Sequence, residues 1–342
     1  SSGGQWNGIG DPNKPNQSGG ATSSSSSSSS SSYEGKQTPR GDRWPSPDFP
    51  QRLPLPFDSN RNALAGMTKV LTETSEEIYD EMQQSTMSDL LETISETSRY
   101  HASKVSDQAV QLLVDTLTGE VSCPTEKMFP MMDLLRGCAL HSDFMARLCS
   151  LYRLDDVLTT LMGNAFDFDK VKSAHTFLFL QCICNMLVSS TSRDATLDFV
   201  ASNQERILGA NAGFSTHKHK HVLNGYSTLL LNLSVQVLTE HSFGMGKTAL
   251  MFSQDIVDRS LELMANTSAK AAAAADNIKK SKPMLSIAKR AYVAVGTVRV
   301  KASVNTDTSS LSSSTTEIKR MDPSWSPFLL MSEKCVSERE RK

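Results

Sequence analysis

Three stretches of the chain are apolar on nearly every side of a helix, and they recur at a regular spacing. They are Phe129–Leu140, Ala174–Val188 and Gly225–Val237. Asn185 and Asn232 lie near the ends of the second and third stretches, 47 residues apart, and Cys138 in the first lies one such period upstream. A repeat of about 40–47 residues is typical of stacked HEAT or armadillo units. Such units bury their apolar faces only against their neighbours, and the curved stack that results usually binds a peptide.

The flanking regions predict further helices and one extended segment. The three prolines of Phe49–Phe57 exclude a helix, so this segment is expected to be extended. Val293–Val300 is rich in β-branched residues, but its place in a helical array predicts a helix. Helices are also predicted over about 60–72, over 73–96 as an amphipathic acidic pair, and over 106–117 with Gly119 as its end.

Polar and low-complexity segments set the predicted domain limits. Residues 1–48 are mostly Gly, Pro, Asn and Ser, and they hold too little apolar surface to offset the entropy of ordering. Residues 269–282, rich in Ala and Lys with nothing to bury, and 305–316 look like insertions. The prediction is an all-α, armadillo/HEAT-like α-solenoid of about six helical repeats over 49–342, preceded by a disordered N-terminal linker at 1–48.

Composition narrows the class of protein. The formal net charge of -2 and the pI near 6.4 give no global field for nucleic acid. The strongest apolar run, Phe177–Val188, is too short for a membrane span, and no signal peptide is recognisable. The six cysteines lie mostly in apolar patterns, which indicates buried reduced thiols in an intracellular protein. Because the chain begins at Ser1 and not at Met, we expect a fragment of a longer protein.

Three motifs resemble a nucleotide-binding or metal-binding site, but each is better explained by its place in a turn, a loop or the core. The Gly-Lys-Thr of Gly244–Thr248 lacks both the earlier glycine and the preceding strand of a phosphate loop, so an interhelical turn is expected. In His217–His221 the intervening lysines oppose a metal cation, which favours a solvated basic loop. Cys182 and Cys184 are about 200° apart on a helix, so they point to opposite sides as core residues. No catalytic motif is found, and we expect no enzyme activity, cofactor or metal.

Two arginines within apolar helices are candidates for an anion site. Arg136 follows an apolar run and Arg290 precedes one. A guanidinium can hold a carboxylate or phosphate by two parallel hydrogen bonds. A structural ion pair, with Asp133 or Asp143 as the partner, is the alternative.

Asn185 and Asn232 are candidates for peptide binding. A side-chain amide can donate to and accept from the backbone of an extended peptide at the same time. The alternative for each is a hydrogen bond that stabilises the neighbouring turn. The predicted peptide-binding residues are therefore Arg136, Arg290, Asn185 and Asn232.

Five segments resemble, in the right order, the PUL domain, which is the armadillo-like C-terminal domain of phospholipase A-2-activating protein and its fungal counterpart. They are Phe49–Leu71, Phe129–Arg136, Leu178–Val188, Thr228–Val235 and Arg290–Val298. The likeness runs from about Phe49 to Val300. Residues 1–48 resemble the linker that joins the PUL domain to a ubiquitin-binding PFU domain, with a WD40 propeller further upstream.

The resemblance implies a non-catalytic adaptor in ubiquitin-dependent protein degradation, in the cytoplasm and nucleus. In that family the groove binds the acidic C-terminal tail of the valosin-containing AAA+ ATPase, and Arg136 and Arg290 match the groove arginines. Ubiquitin would be bound by domains outside this chain. No nucleic acid or membrane is expected as a partner.

Three alternatives stay open. PUL domains also occur fused to thioredoxin-like or isopeptidase domains, and sequence upstream of Ser1 would identify such a fusion. The family name suggests phospholipase activation or lipid binding, although no basic amphipathic helix supports it. NTPase activity at Gly246–Thr248 would require detectable nucleotide binding.

Overall fold

The computed structural model describes residues 53–57, 61–96, 102–124, 127–165, 173–243, 248–274 and 277–304. The helices are α1 (Arg61–Ile78), α2 (Glu81–Ser95), α3 (Asp107–Thr118), α4 (Met128–Cys138), α5 (Ser142–Ser150), α6 (Leu154–Ala165), α7 (Ser173–Val188), α8 (Arg193–Ser202), α9 (Gln204–Leu208), a 3₁₀ helix (Ala210–Ala212), α10 (Lys220–Phe243), α11 (Thr248–Met251), α12 (Ser253–Ala273) and α13 (Ile278–Val304). Within these ranges there is no β-strand, which confirms the predicted all-α class.

The helices stack in a repeating order. In one row every third helix packs on the next, so that α1 contacts α4, α4 contacts α7, α7 contacts α10 and α10 contacts α13. A second row runs from α3 through α6 and α8 to α11. The 47-residue spacing of the sequence is one step along the first row, from α7 to α10. The predicted α-solenoid is therefore confirmed.

Local signals place the ends of several helices. The Ser106 side chain accepts a hydrogen bond from the Ala109 amide at the start of α3. Gly119 ends the same helix at φ +86°, a left-handed conformation that glycine adopts without steric cost. The Asp80 carboxylate and the Gln83 side chain form a capping box at the start of α2. The helix predicted over 106–117 is confirmed.

Two boundaries differ from the prediction. α1 continues to Ile78 and does not stop near residue 72, because Leu71, Thr74 and Ser75 share a buried face that is spaced for a helix. The described part of residues 269–282 is mostly helical. These residues end α12 and begin α13, and the buried small side chains of Ala271 and Ser281 face the core, so the expectation of nothing to bury is wrong.

Other expectations are confirmed or lie outside the described residues. The β-branched stretch 293–300 is helical within α13. The predicted linker at 1–48 and the predicted insertion at 305–316 lie outside the described residues. The predicted limits of the domain, 49–342, stay a prediction.

α7 forms the centre of the core. The Cys182 thiol lies 3.6 Å from the Met132 carbonyl of α4, whereas the Cys184 thiol lies 3.9 Å from the Gly225 carbonyl of α10. The two thiols thus face opposite neighbours, as predicted. Burial raises the pKa of Cys182 to about 12 and raises that of Cys184 as well. In the described part of the chain, no helix combines the length and apolarity needed to cross a membrane.

Candidate peptide-binding site

Residues 53–57, which we name the strap, lie against α7 and α10 and form neither a helix nor a strand. The Leu55 amide donates to Asn232 Oδ1 at 2.7 Å, and Asn232 Nδ2 donates to the Leu55 carbonyl at 3.0 Å. Two residues later the same pattern recurs: the Phe57 amide donates to Asn185 Oδ1 at 2.6 Å, and Asn185 Nδ2 donates to the Phe57 carbonyl at 3.1 Å. Each asparagine side chain is therefore hydrogen-bonded to both the N–H and the carbonyl of one strap residue.

The sequence of the strap suits this geometry. Pro54 and Pro56 have no N–H to donate, and they alternate with Leu55 and Phe57, whose N–H groups are both bonded to asparagines. A residue before proline is pushed into extended backbone conformations, which applies to Leu53 and Leu55. The prolines thus set the strap in the conformation in which it binds.

Arg136 adds a third contact to the strap. Its Nη1 donates to the Phe57 carbonyl at 2.9 Å, and its Nε donates to Asp133 Oδ1 at 2.7 Å. Both side chains of this ion pair are about nine-tenths buried, with relative exposures of 8% and 10%. The ion pair that the sequence offered as the alternative for Arg136 is therefore present. Asp143, the other candidate partner, instead pairs with Lys104 and Arg147.

The two asparagines also connect neighbouring helices of the row. Asn185 Nδ2 donates to the Arg136 carbonyl of α4 at 2.8 Å, and Asn232 Nδ2 donates to the Cys184 carbonyl of α7 at 3.3 Å. Both asparagines are completely buried. We call Arg136, Asn185 and Asn232 the ladder. Its second set of bonds is internal to the solenoid.

An aromatic contact anchors the end of the strap. The Phe57 ring meets the Phe177 ring edge to face, with centroids 6.1 Å apart. Phe177 also contacts the His221 ring, at 5.6 Å, beside the first turn of α10. The strap is thus held by main-chain hydrogen bonds on the ladder and by the partly buried side chains of Leu55 and Phe57, which pack against the core.

Arg290 lies apart from the ladder, against the first half of α10. Its Nη1 donates to Thr228 Oγ1 at 3.2 Å, to Ser227 Oγ at 3.4 Å and, by a shorter contact, to Asn224 Oδ1. All of these partners are neutral. No Asp or Glu in the described ranges forms a salt bridge with Arg290, and its Nε and Nη2 donors have no hydrogen-bond partner there. Burial lowers the pKa of Arg290, because it removes part of the water around the guanidinium.

A basic loop leads into this region. Lys218 lies in this loop and Lys220 is the first residue of α10; both are exposed, and Lys220 lies one turn before Asn224. Burial lowers the pKa of His217 and of His221. Four of the five residues of the tract are exposed, but Lys220 and His221 belong to the first turn of α10, so the predicted loop is limited to residues 217–219. Across the described residues, no group of three His, Cys, Asp or Glu side chains is placed to hold a metal ion.

The structure brings three of the four predicted site residues together. Arg136, Asn185 and Asn232 meet at the strap, and Arg290 occupies its own position on α10. Sequence reasoning missed that the chain's own strap is the bound peptide, and it missed the oxygen atoms that surround Arg290. The alternation of proline with residues that carry an N–H was the one available signal for the strap. Residues 244–247 of the candidate phosphate loop lie outside the described residues.

Comparison with known proteins gives the family. A search of curated proteins found no match to this chain. The family model described as PUL domain matches residues 49–321, which is most of the chain. PUL domains are protein-interaction modules and not a catalytic family, in agreement with a site built from main-chain hydrogen bonds. From this match and the helical stack, the chain belongs to the PUL domain family.

Proposed function

We propose that this domain is a non-catalytic adaptor that binds the acidic C-terminal tail of the valosin-containing AAA+ ATPase in ubiquitin-dependent protein degradation. The single observation that carries the proposal is the environment of the Arg290 side chain. This side chain has a half-buried guanidinium whose contacts are neutral oxygens and whose Nε and Nη2 donors have no partner in the described part of the chain.

The free edge of Arg290 has the geometry that a carboxylate requires. Nε and Nη2 point in the same direction from the planar guanidinium and can donate two parallel hydrogen bonds to the two oxygens of one carboxylate. Because burial has already removed part of the hydration of Arg290, an incoming anion meets a cation that is poorly compensated. A main-chain carboxylate at the end of a peptide fits such a donor pair.

Charge around Arg290 favours an acidic peptide over a neutral one. Lys218, in the loop before α10, and Lys220, the first residue of α10, are both exposed. Exposed positive charge raises the rate at which an acidic ligand is captured, and salt weakens this effect. We therefore assign the terminal carboxylate to Arg290 and the acidic residues before it to the basic loop.

The other three predicted residues support binding indirectly. Asp133 offsets the positive charge of Arg136, so Arg136 positions main chain and does not act as an anion receptor. Asn185 and Asn232 bond to the main chain of the strap, which supports a role for them in binding extended main chain. Ubiquitin would be bound by domains outside this chain, such as the PFU domain and the WD40 propeller of phospholipase A-2-activating protein, and the adaptor would act in the cytoplasm and nucleus.

The test is a titration with a fluorescent peptide of the final ten or so residues of the ATPase tail. Replacing Arg290 with Ala is expected to weaken binding at least tenfold, since charge-assisted hydrogen bonds contribute about 1.5–3 kcal/mol. Arg290→Lys should recover only part of the loss, because lysine lacks the planar fork. Lys282→Ala, which removes an exposed charge from the same helix, is the matched control.

A second peptide that ends in an amide identifies the group that Arg290 binds. Amidation should weaken binding to the wild-type domain and cause little further loss with Arg290→Ala, because both changes remove the same contact. Additive losses would place the carboxylate elsewhere. Equal affinity of wild type and Arg290→Ala would refute the assignment, and no binding to wild type would refute the function.

A further inference from the structure

We propose that the strap is an exchangeable internal ligand: the ladder is a site for extended main chain, closed in cis by residues 53–57 and opened when a peptide from another molecule replaces them. This inference goes beyond the proposed function, because it concerns recognition of main chain by the ladder and does not involve the carboxylate at Arg290.

The contacts of the ladder to the strap are made almost wholly to main-chain atoms. Asn232 and Asn185 each bind the N–H and the carbonyl of one residue, and Arg136 binds one of the same carbonyls. These atoms occur in every residue except for the N–H of proline. Any extended peptide with two N–H groups at alternate residues therefore offers the ladder the same partners.

The ladder keeps its geometry without the strap. The Nδ2 atoms of Asn185 and Asn232 are also bonded to the carbonyls of Arg136 and Cys184, and Asp133 holds Arg136. None of these bonds involves residues 53–57. A site whose donors and acceptors are oriented in advance binds a ligand with little cost of ordering.

The strap is less buried than the residues that hold it. Leu53 is 73% exposed, and each of the other four strap residues is exposed or half-buried, whereas Asn185 and Asn232 are completely buried. Segments with few buried apolar contacts open at a lower free energy than the core of the same protein. The strap can therefore leave the ladder while the helical stack stays folded.

The tether gives the strap its advantage over a peptide in solution. Only residues 58–60 separate it from α1, and a short tether of this kind holds a segment at an effective concentration on the order of millimolar. A competing peptide must overcome that concentration. It should be extended, should carry N–H groups two residues apart, and should place an aromatic ring beside Phe177, as Phe57 does.

The experiment uses the whole chain and a labelled, C-terminally amidated peptide of residues 49–58. Replacing both Pro54 and Pro56 with Gly removes the constraint that favours the bound strap conformation, so binding of the peptide in trans is expected to rise about tenfold. In that loosened background, Asn185→Ala combined with Asn232→Ala should abolish binding. A peptide N-methylated at the positions of Leu55 and Phe57, which lacks both N–H donors, is the control that leaves the protein unchanged.

Any of three results with the peptide would overturn the proposal. The peptide could fail to bind the loosened variant, it could bind that variant and its ladder mutant equally, or the N-methylated peptide could bind as well as the original. Hydrogen exchange at the Leu55 and Phe57 amides is an independent test. These amides should exchange faster than those of the core helices; exchange as slow as in the core helices would contradict the proposal, because the strap would then open only when the whole protein unfolds. Because the peptide has no terminal carboxylate, these results do not depend on Arg290.

Discussion

Replacing Asn185 with Ala is the most direct test of how the ladder stabilises this protein. The amide makes two hydrogen bonds to Phe57 and one to the Arg136 carbonyl. This carbonyl lies in the last turn of α4, where carbonyl groups have no N–H donor within the helix. The Asn185 amide supplies that donor and so caps the end of α4. The substitution thus removes a contact to the strap and a contact between two helices at once.

The magnitude follows from those three bonds. The two bonds to Phe57 contribute about 1 kcal/mol each. Their net contribution is this small because water can bond to the main chain of the strap once the bonds to Asn185 are lost. The Arg136 carbonyl remains beside a buried apolar methyl group and loses its partner, which costs about 1–3 kcal/mol. The free energy of unfolding should therefore fall by about 4 kcal/mol, measured by urea denaturation followed by circular dichroism at 222 nm.

Asn211→Ala is the matched control, because Asn211 is exposed in the 3₁₀ helix after α9. Its effect should stay within about 0.5 kcal/mol, as for most surface substitutions. A loss of less than about 1 kcal/mol for Asn185→Ala would refute the reasoning, because net hydrogen-bond contributions of this size would not be separable from a surface change.

Two further predictions concern packing and pH. Gly225→Val should destabilise the protein by about 1–3 kcal/mol, because even a Cβ at Gly225 would lie 3.2 Å from the Leu180 Cβ. Gly163→Ala should leave stability unchanged, because a Cβ there meets nothing within 4 Å. Thermal unfolding of both variants checks this. Burial lowers the pKa of His141 from its ordinary value of 6.5, and its neutral Nδ1 accepts the Phe144 amide at the start of α5. The unfolded chain therefore binds a proton more readily, so this contribution to stability is present above about pH 6.5 and is lost as pH falls. His141→Asn, which keeps an acceptor, should reduce the loss of melting temperature between pH 7.5 and pH 5.5; an unchanged loss would exclude His141 as a source.

The sequence by itself predicted the helical stack of this protein and the orientation or role of several side chains. A 47-residue spacing of apolar stretches is a local signal, because each stretch must bury its face against the next unit of the stack. Ser106 and Gly119 fixed the ends of α3 through atoms within four residues of them. The opposite orientation of Cys182 and Cys184 also followed from helix geometry alone.

Only the tertiary structure decided what the ladder binds. The proline pattern predicted an extended segment, and the asparagines predicted main-chain recognition, but the partners are 128 and 177 residues apart in the chain. The bonds between them use N–H and carbonyl groups that nearly every residue has, so no side-chain pattern could name the strap as the ligand. Arg290 is similar, since its neutral partners come from Asn224 and the next turn of α10, which reach it only because α13 packs on α10.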